Sequence, residues 1–333
     1  MSSILSIEMS TILITVIGVL GAILCLVYLI VIILAHTPRK IVSPERTYKT
    51  CECESLPLIE SKSSNPSLMV SVIIPCYNET ERLRIMLDEA VPHLESQYAN
   101  DWEILIVDDG SKDGTAQFAL DWVRNYNLQK GSSKSAIAAD RVRVCVLVKN
   151  RGKGGAVTHG MRFFRGQYAI FVDADGASRF SDLDKLLQAI KTSPNPEKAI
   201  AIGSRAHMVN TSAVVKRSMV RNFLMHGLHA LVYVFGIRDI ADTQCGFKLL
   251  SRKAALEIFP NMRTERWIFD VEVLIRGRRK GIPVLEVPIS WHEVGGSKLD
   301  LATDSVLMAV DLVIMRLAFF LGIYKDNIKT KSD

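Results

Sequence analysis

From residue 11 to residue 35 the chain carries no charged side chain and is apolar at most positions. Those 25 residues, at about 1.5 Å each, make a helix able to cross a hydrocarbon layer of roughly 30 Å. A cleaved signal peptide is the competing reading. It fits poorly, because no Lys or Arg precedes the run and the run exceeds the ~7–15 apolar residues usual for such peptides. An uncleaved anchor is expected over residues 1–36. Residues 37–68 mix Pro, Ser, Glu and Lys with little periodicity and read as a linker or an irregular membrane-proximal segment.

After residue 68 the pattern alternates. Residues 69–75 (MVSVIIP), 103–107 (EILIV), 141–148 and 168–172 are short β-branched runs that predict strands. Between them, Leu83, Met86, Leu87 and Val91 recur at helical spacing in residues 81–94. Helices are also predicted over 115–126 and 155–164. This β-α-β-α order predicts an α/β domain with a mostly parallel, Rossmann-like sheet and helices on both faces, over residues 69–300. Ligands on such sheets bind at the carboxyl ends of the strands. The later part is less regular. Residues 199–203 predict a strand, while 218–235 and 306–323 are apolar helices interrupted by Arg221 and by Asp311 and Arg316. Either they are core helices, or at least one is an amphipathic helix lying on the bilayer. Residues 301–333 are expected to form a C-terminal amphipathic helix and tail.

Charge sharpens the picture. All 41 basic residues and 34 of the 35 acidic ones follow the span, so that part carries a net +7. Arg39, Lys40, Arg46 and Lys49 follow the span closely, against Glu8 before it. The positive-inside rule then puts the domain in the cytosol. The excess suits phosphate-bearing ligands and an anionic membrane face, although composition alone would suit nucleic acid too. Six cysteines without a zinc-like spacing agree with a reducing compartment.

The candidate chemistry sits where the predicted strands end. The first ends Pro75-Cys76-Tyr77-Asn78-Glu79, with a ring to stack a base and a carboxylate to accept from ribose. The second ends Asp108-Asp109-Gly110-Ser111, two adjacent carboxylates that a uracil and its ribose could supply with donors. Asn150-Arg151-Gly152-Lys153-Gly154-Gly155 combines glycines, cations and a helix start, which is an anion site but neither a Walker loop nor a dinucleotide fingerprint. The fourth ends Asp173-Ala174-Asp175-Gly176, hard oxygen ligands two apart that suit Mg²⁺ or Mn²⁺ on a diphosphate. Their succession predicts a nucleotide-sugar site, and no nucleic-acid partner is expected.

This order resembles the inverting family 2 glycosyltransferases of GT-A fold. Gly203-Ser204-Arg205-Ala206-His207, Asp242 through Lys248 (D-T-Q-C-G-F-K), Arg266 through Glu272 (R-W-I-F-D-V-E) and Trp291 through Lys298 resemble the dolichyl-phosphate β-glucosyltransferases in it. The resemblance implies an endoplasmic-reticulum membrane enzyme that transfers glucose from UDP-glucose to dolichyl phosphate for N-glycan assembly. It implies a donor site at Pro75, Tyr77, Glu79, Asp108, Asp109, Lys153, Asp173 and Trp267, with Asp173 and Asp175 holding Mg²⁺ or Mn²⁺. Arg205, Lys216, Arg217 and Arg221 are expected to bind the acceptor phosphate. Asp270, Gln244 and Arg205 are expected at the reacting centre, Asp270 as an orienting group more than a base. A dolichyl-phosphate mannosyltransferase using GDP-mannose and a non-catalytic binding subunit are the alternatives. The first is disfavoured by the D-T-Q-C-G-F-K string, the second by the intact Asp pair.

Overall fold

The computed structural model describes residues 2–130, 137–138, 140–208, 237, 239–295 and 301–325. Helix α1 (Ser2–Leu34) includes one stretch long and apolar enough to cross a membrane, Thr11–Leu34, and the rest of the chain covers almost none of it. Residues 37–68 then do what their composition does not advertise: they pack. Strands β1 (Thr47–Tyr48) and β2 (Leu56–Pro57) pair antiparallel, and Leu58 enters the core. Glu45 and Ser61 are fully buried, so a free linker is not what the structure describes.

The alternating region folds as β3 (Leu68–Cys76), α2 (Leu83–Tyr98), β4 (Trp102–Asp108), α3 (Thr115–Lys130), β5 (Val142–Val146), α4 (Lys153–Gly160), β6 (Gly166–Val172) and α5 (Leu183–Lys191). Next come β7 (Ile200–Ser204), β8 (Phe247–Ser251), α6 (Arg252–Ile258), α7 (Phe269–Arg279), β9 (Val284–Pro288) and α8 (Leu301–Phe320). The sheet order is β5-β4-β3-β6-β8-β7-β9, and β8 runs antiparallel to both its neighbours while the other pairs are parallel. Alternation along β4 sends Ile104 and Ile106 into one apolar layer, with α2, α3 and α5. Leu105 and Val107 go into the opposite layer, with α4, α6 and α7.

The reversal of β8 matters for function. Phe247 pairs with Val172 at the end of β6, so residues 242–246 arrive at the rim where the parallel strands finish. A charged residue, Lys248, stands mid-strand in β8 opposite Phe171. The expected helix at 306–323 is α8. It is partly a core helix: Met308, Leu312, Met315 and Ala318 are buried, whereas Val306, Val310 and Phe320 are exposed. Its neighbour is the end of α1, where His36 Nε2 meets Asp311 at 3.0 Å and the His36 N–H donates to Tyr324 Oη at 2.7 Å. The expected helix at 218–235 lies outside the described residues.

Candidate active site

The first two strand-end loops are laced together. Asn78, in the left-handed region at φ 54°, donates its N–H to Ser111 Oγ (2.8 Å) and accepts from the Lys112 N–H (2.8 Å). The Glu79 N–H donates to Thr115 Oγ1 at 2.8 Å. These bonds hold the tip after Pro75 and leave Tyr77 37% exposed at the rim. The Glu79 carboxylate takes both Nε (2.8 Å) and Nη2 (2.6 Å) of Arg82. Asp108 accepts the Ser111 N–H at 2.9 Å. Asp109 accepts two backbone donors, Arg151 N–H at 2.7 Å and Gly152 N–H at 2.8 Å. Burial pushes the Asp109 carboxyl up to about 7, against the pull of those two N–H groups. The chain itself thus supplies donors to the adjacent carboxylates, and Asp109 shapes the loop that follows β5.

That loop needs Gly152 twice over. Its φ is +87°, and a Cβ there would stand 2.6 Å from the Glu265 carbonyl oxygen. Lys153, the first residue of α4, aims its ammonium at Asp173 Oδ1, 2.5 Å away, and lies 5.9 Å from the centre of the Trp267 ring. Burial by itself would lower the Lys153 pKa, but the charges of Asp173, Asp270 and Asp175 raise it instead.

Asp173 also packs on Gly246, where a Cβ would collide with the carboxylate, and its N–H donates to the Gly246 carbonyl at 3.2 Å. Asp175 has its carboxyl pushed up by burial and then by neighbouring Asp173, and Arg82 Nη1 lies 3.9 Å from it. Among the described residues no group of three or more His, Cys, Asp or Glu is placed to hold a metal. Two carboxylates at a strand end nevertheless match the donor set of Mg²⁺ or Mn²⁺, which take one or two carboxylates and complete their shell with substrate phosphate and water. The two Asp residues therefore fit such an ion.

Asp270, at the first turn of α7, is buried and paired with the fully buried Lys248 ammonium, which also donates to the Cys245 carbonyl at 2.5 Å. Burial pushes the Asp270 carboxyl up while Lys248 and Lys153 draw it down. Arg205, just past β7, is gripped by Asp242: Nε–Oδ2 2.7 Å, Nη2–Oδ1 2.9 Å, with its N–H on Oδ2 at 2.9 Å. Three of its five N–H donors stay outside that fork. Gln244 is half-buried in the loop before β8. Lys216, Arg217 and Arg221 lie outside the described residues.

Lys153, Asp173, Asp175, Asp270 and Arg205 therefore converge on one rim with Trp267, and Arg82 links Glu79 to them. Arg82, Asp242 and Lys248 escape a reading by strand-end motifs. Lys248 has a signal all the same, since a lysine inside F-K-L-L-S, a strand apolar on both sides, needs a buried anion.

The profile of the family described as glycosyl transferase family 2 matches residues 71–259. A dolichyl-phosphate beta-glucosyltransferase of Saccharomyces cerevisiae is 50% identical over 93% of this chain and 94% of its own length. The protein of that name from Homo sapiens is 41% identical over 82% of this chain and 81% of its own. Among solved structures, a glucosyl-3-phosphoglycerate synthase from Mycobacterium tuberculosis in complex with uridine-diphosphate aligns with TM-score 0.52 at 15% identity. That alignment covers 88% of this chain and 90% of that one, which is a likeness of fold.

Proposed function

The chain belongs to glycosyl transferase family 2, among its dolichyl-phosphate beta-glucosyltransferases, and from that premise we propose that it transfers glucose from UDP-glucose to dolichyl phosphate. The observation that carries the reading is the convergence of Lys153, Asp173, Asp175 and Asp270 on one rim, in a chain half identical to such an enzyme over nearly its whole length. The fold is of GT-A type, with the uridine side at Pro75, Tyr77, Glu79, Asp108 and Asp109 and the diphosphate side at Lys153, Asp173 and Asp175. Asp173 and Asp175 would hold Mg²⁺ or Mn²⁺, which when bound would supply positive charge beside the diphosphate.

The reaction is one displacement. A phosphate oxygen of the lipid forms its bond to the glucose anomeric carbon as the bond from that carbon to the UDP oxygen breaks, inverting the centre to the β-phosphate. The second pKa of a phosphate monoester is about 6, so the nucleophile is largely dianionic at neutral pH and a strong general base is unnecessary. Asp270, tied to Lys248, is suited to orient glucose instead, with Gln244 and Trp267 lining the sugar pocket. Arg205 keeps donors free for the acceptor phosphate, and Lys216, Arg217 and Arg221 join it in this reading.

The domain faces the cytosol from the endoplasmic-reticulum membrane. The basic residues after α1 support that orientation, and the exposed Val306, Val310 and Phe320 of α8 support a helix touching the bilayer. Purified protein given dolichyl phosphate and labelled sugar nucleotides tests the substrate pair. Label should reach the lipid phase from UDP-glucose; transfer from GDP-mannose in its place would refute it.

A further inference from the structure

The family match begins at residue 71, yet the segment just after the membrane helix reaches the loop that carries Lys153. The Arg39 carbonyl accepts from Arg151 Nη2 at 2.6 Å, and the Arg39 N–H donates to Glu265 Oε1 at 3.3 Å. Its guanidinium donates to Glu45 Oε1 (2.7 Å) and to the Lys149 carbonyl (2.9 Å). Glu45 has no exposed surface. Besides Arg39, its carboxylate accepts the Val148 N–H at 3.1 Å and the Val42 N–H at 3.2 Å. Arg151 in turn holds Glu265 through Nε at 2.8 Å and Nη2 at 2.5 Å, and the Glu265 carbonyl accepts the Gly155 N–H at 2.9 Å. Residues 148–151 are thus fastened to the segment after the anchor, and Gly155 to Glu265, which both Arg39 and Arg151 hold, so the stretch carrying Lys153 is tied on either side. A basic flank that only met lipid headgroups would need none of this, least of all a buried carboxylate aimed at the loop.

We propose that Arg39 and Glu45 are positioning residues for the loop carrying Lys153, so that the segment after the anchor is a working part of the donor diphosphate site rather than a tether. The inference rests on the reading of that loop as the place where the diphosphate binds. It also sets the height of the site. Arg39 stands five residues after Leu34, and an extended chain reaches at most ~3.6 Å per residue. Arg39 therefore lies within roughly 18 Å of the end of the span, and the loop is held against it, close to the headgroup level.

The test uses the full-length protein in detergent micelles and measures UDP affinity by calorimetry, the KM of each substrate and the melting temperature. Arg39→Ala and Glu45→Gln should each weaken UDP and raise the UDP-glucose KM on the order of ten-fold. The dolichyl-phosphate KM should stay within about two-fold, because the acceptor groups lie elsewhere. Arg39→Lys, which keeps a charge beside Glu45 on a shorter, non-planar head, should fall between Arg39→Ala and the parent. Arg46→Ala, which breaks the half-exposed pair with Glu60 (3.2 Å), should change neither affinity. Normal UDP binding in Arg39→Ala would overturn the proposal, as would a lower melting temperature with both KM values raised together. Lys153→Met separates the two readings. If it too binds UDP normally, the loop is not the diphosphate site. If it loses UDP while Arg39→Ala does not, the positioning role alone fails.

Discussion

Changing Lys248 to Met leaves the Asp270 carboxylate buried without its partner. Lys248 has no exposed surface and Asp270 is 3% exposed, so water cannot replace the lost ammonium without opening the sheet next to Phe171. Breaking one side of a buried pair costs ~3–5 kcal/mol, and the Cys245 carbonyl loses its donor as well. Lys153, whose charge also reaches Asp270, keeps the loss within that range rather than above it. For a domain of this size the unfolding entropy is ~0.6 kcal/mol per degree, which converts the loss to a fall of ~5–8 °C in melting temperature. Lys248→Met/Asp270→Asn removes both charges and should recover at least about half of it, as coupled neighbours do. Turnover should stay low in Lys248→Met, Asp270→Asn and the double variant, since the proposed site has Asp270 beside Lys153. Thermal unfolding followed by circular dichroism in micelles reads the cycle. A single-variant cost below ~1 kcal/mol, or two costs that simply add, would refute the pairing argument.

Asp173→Ala and Asp175→Ala should each cut turnover by orders of magnitude with the melting temperature nearly kept, and chelator should silence the parent protein; full activity in excess chelator would remove the metal role. Gly246→Ala should displace the Asp173 carboxylate and lower turnover more than stability, as measured by kcat beside melting temperature. His159 is buried, 3.3 Å from Cys145 Sγ, and burial followed by the charge of Arg151 lowers its pKa from 6.5 to about 3. A base depressed in the folded state contributes stability that is full above pH 6.5 and is lost as pH falls toward 3. The loss approaches roughly 5 kcal/mol at the acid end. His159→Leu should flatten that limb in denaturant melts between pH 7 and 4, since it removes the titrating ring; an unchanged pH slope would count against it.

Much of this was legible in the chain. The β-branched runs mark β3, β4, β5 and β6 to within two residues, and the unusual residues fall at their carboxyl ends because a parallel sheet has nowhere else to place a ligand. Helix α4 is less well marked, stopping at Gly160 rather than 164. The reversal of β8 has no local signature, because strand direction is set by long-range pairing that a five-residue run does not encode. Residues 37–68 look like a linker since their binding is polar and specific: a buried Glu45, an Arg39 carbonyl and a Ser61 hydroxyl on the Phe164 carbonyl leave no hydrophobic period to read. Arg205 reads as a phosphate ligand from its basic neighbours and the family resemblance, whereas Asp242, 37 positions away, takes two of its side-chain donors.

The measurement that tests the account most directly is the configuration of the product. Purified protein supplied with UDP-glucose labelled at the anomeric carbon, dolichyl phosphate and Mg²⁺ or Mn²⁺ should yield one lipid product. Its anomeric carbon, read by nuclear magnetic resonance from coupling to the neighbouring proton and to phosphorus, should be β-linked to phosphate, with UDP released in equal amount. An α-linked product, or free glucose with no lipid-bound sugar, would contradict a single in-line displacement by the lipid phosphate.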